Sequence, residues 1–233
     1  MSRFTPSSQP WKKPFAWSYS KLKNYEACPF RHQQIDLLKT FAEGESPALV
    51  EGNVTHDVLA KALTGTPLPA THESYGHWVE KFLARGEERL YVELKLAITR
   101  EYEPCDFFDK RAWFRGVIDF LKLLDVRDVT IGVAGDWKTG KIVEDSVQLA
   151  LSAVCAFAHY PTLTRLRTEF IWLKDDVSTR EDWSRKDMGD LWVSLAPRIE
   201  ALEWAYTNDQ YPPRKNGLCR KYCVVESCPN YRK

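Results

Sequence analysis

No uninterrupted apolar run long enough to span a bilayer occurs in the 233 residues, which excludes a transmembrane helix. The opening residues, MSRFTPSSQPWKKPF, lack the apolar core of a secretory leader, so a cytoplasmic protein with no membrane partner is the expectation. There is no internal repeat, and past the Ser/Pro-flavoured first fifteen residues there is no low-complexity tract. Disorder is excluded as well, because nine Trp, ten Tyr and eleven Phe supply too much buried-type surface for it. Net charge is nearly absent, at +1 from 33 basic and 32 acidic side chains, but that figure hides a split. Residues 1–39 hold seven basic and two acidic groups, and residues 211–233 hold six and one, so each end is +5. The middle is therefore −9. Basic ends are ordinarily solvated termini, and an acidic centre is either plain surface or a cation site.

Periodicity sorts the rest of the chain. Ser18 or Ser20 caps a short helix carrying Leu22, Tyr25 and Ala27, and Pro29 opens a second over 30–39. Residues 48–63 read as an amphipathic helix with Leu49, Val50, Val54, Val58, Leu59 and Leu63 on its apolar face. Another helix is expected near 74–89. The period then shortens, and 91–102, 111–124 and 128–138 read as strands. A helix over 144–160 stops before Pro161, and a strand at 166–174 is followed by a charged loop. A helix over about 186–207 bends near Pro197, and the tail from Tyr211 has no period. This order predicts an α/β fold with a mixed central β-sheet flanked by helices.

The chemistry concentrates where the strand 128–138 ends in G-D-W-K-T-G-K. Asp136 and Lys138 are two apart, so a strand turns them to the same side. The preceding strand carries R-G-V-I-D-F, which sets Asp119 among apolar neighbours where a carboxylate needs a cation or donor. Two carboxylates on neighbouring strands with a lysine beside them suit a hard cation that polarises a phosphodiester and acidifies a water. An Asp–Lys pair at a hairpin end, with no ligand, is the plainer alternative. Gly135-x4-Gly140-Lys141 nearly fits a phosphate-binding loop but fails at Ile142, where Ser or Thr is required.

RGVIDF, GDWKTGK and then Gln148-Leu149-Ala150-Leu151 together resemble the PD-(D/E)xK nucleases of the RecB/AddB-like branch, over Ser18 to Cys228. The resemblance extends to Gly52-Asn53-Val54-Thr55-His56, which is similar to the family's Gly-x3-His helix. It implies a restriction-endonuclease-like core and a metal-dependent deoxyribonuclease, single-strand-preferring and exonucleolytic. It assigns His56, Asp119, Asp136 and the main-chain carbonyl of Trp137 to Mg²⁺ or Mn²⁺. Lys138 then aids the water nucleophile and Gln148 supports that lysine. Glu93 corresponds loosely to an acidic position in the family's first strand. Ser152 stands where the family often has Tyr. Nothing in the sequence supplies a helicase motor, so unwinding falls to a recombination, replication or helicase partner, or to substrate with free ends. Related single-domain nucleases form rings, which makes an oligomer one expected arrangement.

Six cysteines without a leader argue for thiol or metal chemistry before disulfides. Cys219-x3-Cys223-x4-Cys228 lies in a stretch that cannot build its own core, so a metal or cluster is a sensible staple. Cys155 reads as core and Cys105 as a turn residue. Cys28, in E-A-C-P-F-R, is the fourth ligand that the resemblance implies, in a [4Fe–4S] clasp joining the N- and C-terminal ends. Zn²⁺ is the chemical alternative. The resulting division is a flexible lead-in over 1–17, a nuclease domain over 18–210 and a clasp over 211–233. With the ends joined, Lys21, Lys23, Arg31, Arg214, Lys215, Arg220 and Lys221 line a path for DNA phosphates. Tyr19, Tyr25, Phe30 and Tyr222 are aromatic neighbours for unpaired bases. The rival reading is a non-catalytic, zinc-stapled nucleic-acid-binding module.

Overall fold

The computed structural model describes residues 13–143 and 146–233. The expected lead-in over 1–17 falls, for residues 1–12, outside the described residues. No described helix is long and apolar enough to cross a membrane. The chain divides into two compact units, one formed by residues up to Gly44 with Trp192–Lys233 and the other by Glu45–Leu191.

The second unit is built on a six-stranded mixed sheet of order β2-β1-β3-β4-β5-β6. Its strands are β1 (Arg89–Ile98), β2 (Pro104–Cys105), β3 (Phe114–Val126), β4 (Val129–Lys138), β5 (Leu163–Trp172) and β6 (Val177–Ser184). β4 and β5 run parallel and every other pairing is antiparallel. Helix α5 (Val147–His159) is the crossover that a parallel pair requires. Alternation along β5 serves two layers. Phe170 and Trp172 pack with Leu149 of α5. Ile171, between them, joins Phe120 and Trp137 in a core closed by Leu59, Ala62 and Leu63 of α3 (Pro47–Leu63) and by Trp78, Val79 and Phe82 of α4 (Gly76–Phe82). The mixed α/β sandwich expected from the period changes is therefore the fold observed.

Particular elements depart from expectation. The expected charged loop after β5 contains β6, whose polar residues are mostly exposed. A charged edge strand is a normal way to blunt a sheet edge, and it hides the period-2 apolar signal. The helix expected near 74–89 is shorter, a 3₁₀ turn over Ala70–Tyr75 followed by α4, because Leu83 turns extended and β1 begins at Arg89. In α3, Ser46 caps the helix by accepting from Leu49 N at 3.2 Å. Only its C-terminal turns lie in the core: Leu59 and Leu63 are buried, whereas Leu49, Val50 and Val54 are 52%, 42% and 51% exposed. The helix is observed where expected, and its apolar residues divide between the core and the surface.

The first unit carries α1 (Tyr19–Ala27), α2 (Pro29–His32) running into a π turn at Gln33–Leu37, and most of α6 (Met188–Asn208). α6 continues through Pro197 rather than breaking there. The fork of Arg198 holds Glu26 of α1, with Nη2 2.9 Å from Oε2. Tyr25 donates to the Ala201 carbonyl at 3.0 Å.

β3 and β4 are matched at Phe120 and Gly135, and this pair fixes where Asp136 emerges. A Cβ on Gly135 would lie 2.1 Å from the Phe120 ring, which is fully buried between Phe82 and Trp137. Gly135→Ala is expected to destabilise the protein by about 3 kcal/mol, or roughly 6–12 °C in melting temperature. A thermal melt checks it; an unchanged midpoint would mean that the ring has room to move.

Candidate metal centre and catalytic dyad

Three elements of the second unit converge where β3 and β4 part. α3 brings His56, β3 brings Asp119, and the end of β4 brings Asp136 and Lys138. Gly52 lies one turn before His56, and a Cβ there would stand only 3.1 Å from Thr139 Oγ1. The Gly-x3-His spacing thus has a steric reason: the missing side chain lets α3 approach the residue after Lys138. Asp119 accepts from Trp137 N at 2.7 Å through Oδ2, and the same oxygen lies 3.2 Å from His56 Nδ1.

Glu93 completes a cluster. Val92 pairs with Phe120 and Leu94 with Ile118, which sets Glu93 opposite Asp119 across β1 and β3. Its φ of 51° is the left-handed region, a conformation costing about 1–3 kcal/mol for a residue with a side chain. Among the described residues, His56, Glu93 and Asp119 each offer one ligand atom within 4.8 Å of the others. Like charges directly opposed on paired strands are unfavourable unless a cation sits between them. Two carboxylates and an imidazole form a donor set suited to Mg²⁺ or Mn²⁺. A pattern of residue types alone barely marks Glu93; the signal for it is a lone acid in β1 at the register of Asp119.

Beside this cluster is a closed polar network. Lys138 Nζ lies 2.6 Å from Asp136 Oδ2 and donates to Gln148 Oε1 at 3.0 Å, while Gln148 Nε2 donates to Asp136 Oδ1 at 2.6 Å. Gln148 sits in the first turn of α5, so the helix that closes the β4–β5 crossover also sets the lysine. The lysine ammonium lies 4.7 Å from the Phe170 ring centroid. Ser152, in the position where Tyr is common, turns its hydroxyl back onto the Gln148 carbonyl at 3.1 Å. A cleft of about 530 Å³ adjoins the cluster, lined by α3 from Ala48 to Ala60, by Glu93 and by Thr139.

The electrostatics are those of a site awaiting positive charge. Burial, with Asp119 nearby, pushes the Asp136 carboxyl up to about 6 despite Lys138. Burial and Asp119 also raise Glu93. At His56 burial opposes the charged form, but hydrogen bonding and charge from Asp119, Asp136 and the Trp137 backbone outweigh it and raise the imidazole.

In the first unit, Cys28, Cys219, Cys223 and Cys228 line one small cavity. None of the four is in a disulfide. Main-chain N–H groups point at two of the sulfurs, Arg214 N to Cys28 Sγ at 3.4 Å and Asn216 N to Cys219 Sγ at 3.5 Å. Of the expected phosphate-binding side chains, Arg31 pairs with Glu43, Arg214 donates to the Glu26 carbonyl and Lys21 donates to the Ala16 carbonyl at 3.2 Å. Lys23, Lys215, Arg220 and Lys221 are exposed, as is Tyr222.

The model of the PD-(D/E)XK nuclease superfamily matches residues 16–229. No curated protein matches the chain. Among solved structures, a "Putative exonuclease" from Eubacterium rectale is similar over 94% of this chain and 93% of its own, with 11% identity and a TM-score of 0.53. SSO0001 is similar over 95% and 89%, with 15% identity and a TM-score of 0.46.

The pKa shifts share a sign. Asp136 is raised above its ordinary 3.8, so its contribution to stability is complete below that value and lost as pH rises through about 6. His56 is also raised, and its contribution disappears as pH climbs past its elevated pKa. Asp136 should therefore favour the metal-free fold at about pH 4 over about pH 7.5 by on the order of 2 kcal/mol. Melting curves against pH, compared with Asp136→Asn, isolate that share; parallel curves would remove it. Added Mn²⁺ is expected to raise the wild-type midpoint at neutral pH and to leave Asp119→Ala unmoved.

Proposed function

The chain belongs to the PD-(D/E)XK nuclease superfamily, and we propose that it is a divalent-metal-dependent deoxyribonuclease, exonucleolytic and acting preferentially on single strands. The observation that carries this reading is the convergence of His56, Glu93 and Asp119 within 4.8 Å, next to the Lys138–Asp136–Gln148 network. The exonucleolytic mode is drawn from the RecB/AddB-like resemblance, and the Eubacterium rectale neighbour carries a matching name.

His56, Asp119 and Asp136 hold Mg²⁺ or Mn²⁺, with the Trp137 carbonyl and Glu93 as further ligands. The cation supplies charge for a phosphodiester oxygen and acidity for a water. The remaining work falls to the chain. Asp119, fixed by Trp137 N–H, orients the imidazole of His56. Lys138 directs its ammonium at the nucleophilic water and at the negative charge developing on the phosphoryl oxygens. Gln148 holds the lysine and Asp136 at their working separation. DNA with free ends is the substrate, supplied by a recombination, replication or helicase partner.

The four-cysteine cavity holds a [4Fe–4S] cluster, a reading supported by the shared lining and by the N–H groups directed at two sulfurs. It staples the ends of the first unit and presents Lys215, Arg220 and Lys221 to the DNA backbone.

Digestion of end-labelled single- and double-stranded DNA with Mg²⁺, Mn²⁺ or EDTA tests the activity. Lys138→Ala and Asp119→Ala are each expected to lose at least about 10²–10⁴-fold in rate while retaining DNA binding. Metal-independent cleavage, or an active Asp119→Ala, would overturn the assignment. Anaerobically purified protein is expected to be brown, with about four iron atoms per chain that fall away in Cys28→Ala. Colourless protein with bound zinc would replace the cluster by a Zn²⁺ staple.

A further inference from the structure

The first half of α3 is the largest mismatch between sequence pattern and packing in the second unit. Leu49, Val50 and Val54 form an apolar helix face that packs on no core, at 52%, 42% and 51% exposure. Contiguous exposed apolar surface on a small protein ordinarily marks an interaction site. Of the three, Leu49 also lines the catalytic cleft. Ala48, Leu49, Gly52, Asn53, His56 and Ala60 line that cleft along successive turns of one helical face. Leu49 is seven residues from His56, about 10 Å along the axis. A strand leaving the metal cluster along this wall passes Asn53 and then Leu49.

The two ends of the cleft wall differ in charge. Near His56 stand Glu93 and Asp57, which suit a cation and repel bare phosphate. Asp57 is held by Lys61 at 2.6 Å. Toward Leu49 the cleft lining carries no charge, only Ala48, Leu49, Gly52 and Asn53. An apolar surface beside one amide fits a ligand with a flat apolar face and a hydrogen-bonding edge. Asn53 offers both a donor and an acceptor there. Within a duplex such faces are hidden by stacking, whereas an unpaired base exposes them.

We propose that Leu49 and Asn53, one turn apart on the cleft wall, form a subsite for an unpaired nucleobase next to the scissile phosphate. This deepens the nuclease reading and rests on it, giving the single-strand preference a physical origin in this chain. Small residues at Ala48 and Gly52 let the strand lie close to the helix, and the leucine rewards only bases already out of the stack.

The variant Leu49→Ser removes the apolar contact at an exposed position, so folding is retained and a thermal melt verifies it. Hydrolysis is measured on a single-stranded oligonucleotide and on bis(p-nitrophenyl) phosphate, which is too short to reach Leu49 from the metal cluster. The expected result is a fall of about tenfold in kcat/KM on the oligonucleotide, mainly through KM, with the small ester unchanged. An unchanged oligonucleotide rate overturns the subsite. An equal fall on both substrates also overturns it, since the substitution would then act through the metal cluster. If the wild type hydrolyses neither substrate, the nuclease reading itself fails. Binding of a single strand carrying 2-aminopurine, measured in Ca²⁺, then decides the subsite separately, and an affinity unaltered by Leu49→Ser overturns it.

Discussion

The hydrogen bond from Trp137 N–H to the Asp119 carboxylate, at 2.7 Å, is the contact on which the site depends. β3 and β4 pair regularly down to Phe120 and Gly135, and beyond that point the strands part. A parting sheet leaves main-chain donors unmatched, and an unpaired buried N–H is costly. Asp119 satisfies one of them with a side-chain oxygen instead of a carbonyl. That substitution fixes the carboxylate against the backbone of the residue between Asp136 and Lys138. It also leaves the same oxygen beside His56, so α3, β3 and β4 are tied through a single carboxylate.

The arrangement is unfavourable in the absence of a cation. Asp119 faces Glu93 across the strand pair, Asp136 is buried nearby, and Glu93 holds a left-handed backbone conformation. Lys138 offsets part of this charge, yet the Asp136 carboxyl remains raised to about 6. A fold selected for stability alone would place an amide or an apolar side chain at one of these positions. Strain and like charge gathered at one point are a usual mark of a functional site. The Phe82–Phe120–Trp137 core beneath supplies the rigidity that holds them together.

Much of this was legible from residue order. The two-residue spacing of Asp136 and Lys138 needs only a strand to bring both toward Gln148. The Gly52–His56 spacing needs only a helix. Ser46, unremarked in the sequence, caps that helix. What was not legible depends on three-dimensional neighbours. β6 has no apolar alternation because it is an edge strand with charged residues facing solvent. Periodicity gives α3 an apolar face but cannot distinguish residues that pack from those that stay at the surface, as Leu49, Val50 and Val54 do. Glu93 gains its meaning from its register with Asp119, and register is set by pairing.

The division of charge follows from the same constraint. The proposed cation site gathers Glu93, Asp119 and Asp136 within a middle segment, residues 40–210, whose net charge is −9. Such a centre repels the polyanion it would cut, beyond the one phosphate the cation neutralises. Affinity for the rest of the strand has to come from elsewhere, either as positive charge or as surface indifferent to charge. The chain carries both. In the proposed reading the first comes from Lys215, Arg220 and Lys221, which are exposed. The second comes, on the same reading, from the uncharged part of the α3 wall. Basic groups placed within the acidic cluster would instead compete with the cation for the same carboxylates, as Lys138 already does at Asp136. Keeping the two kinds of attraction apart in the chain lets the metal site remain acidic enough to work.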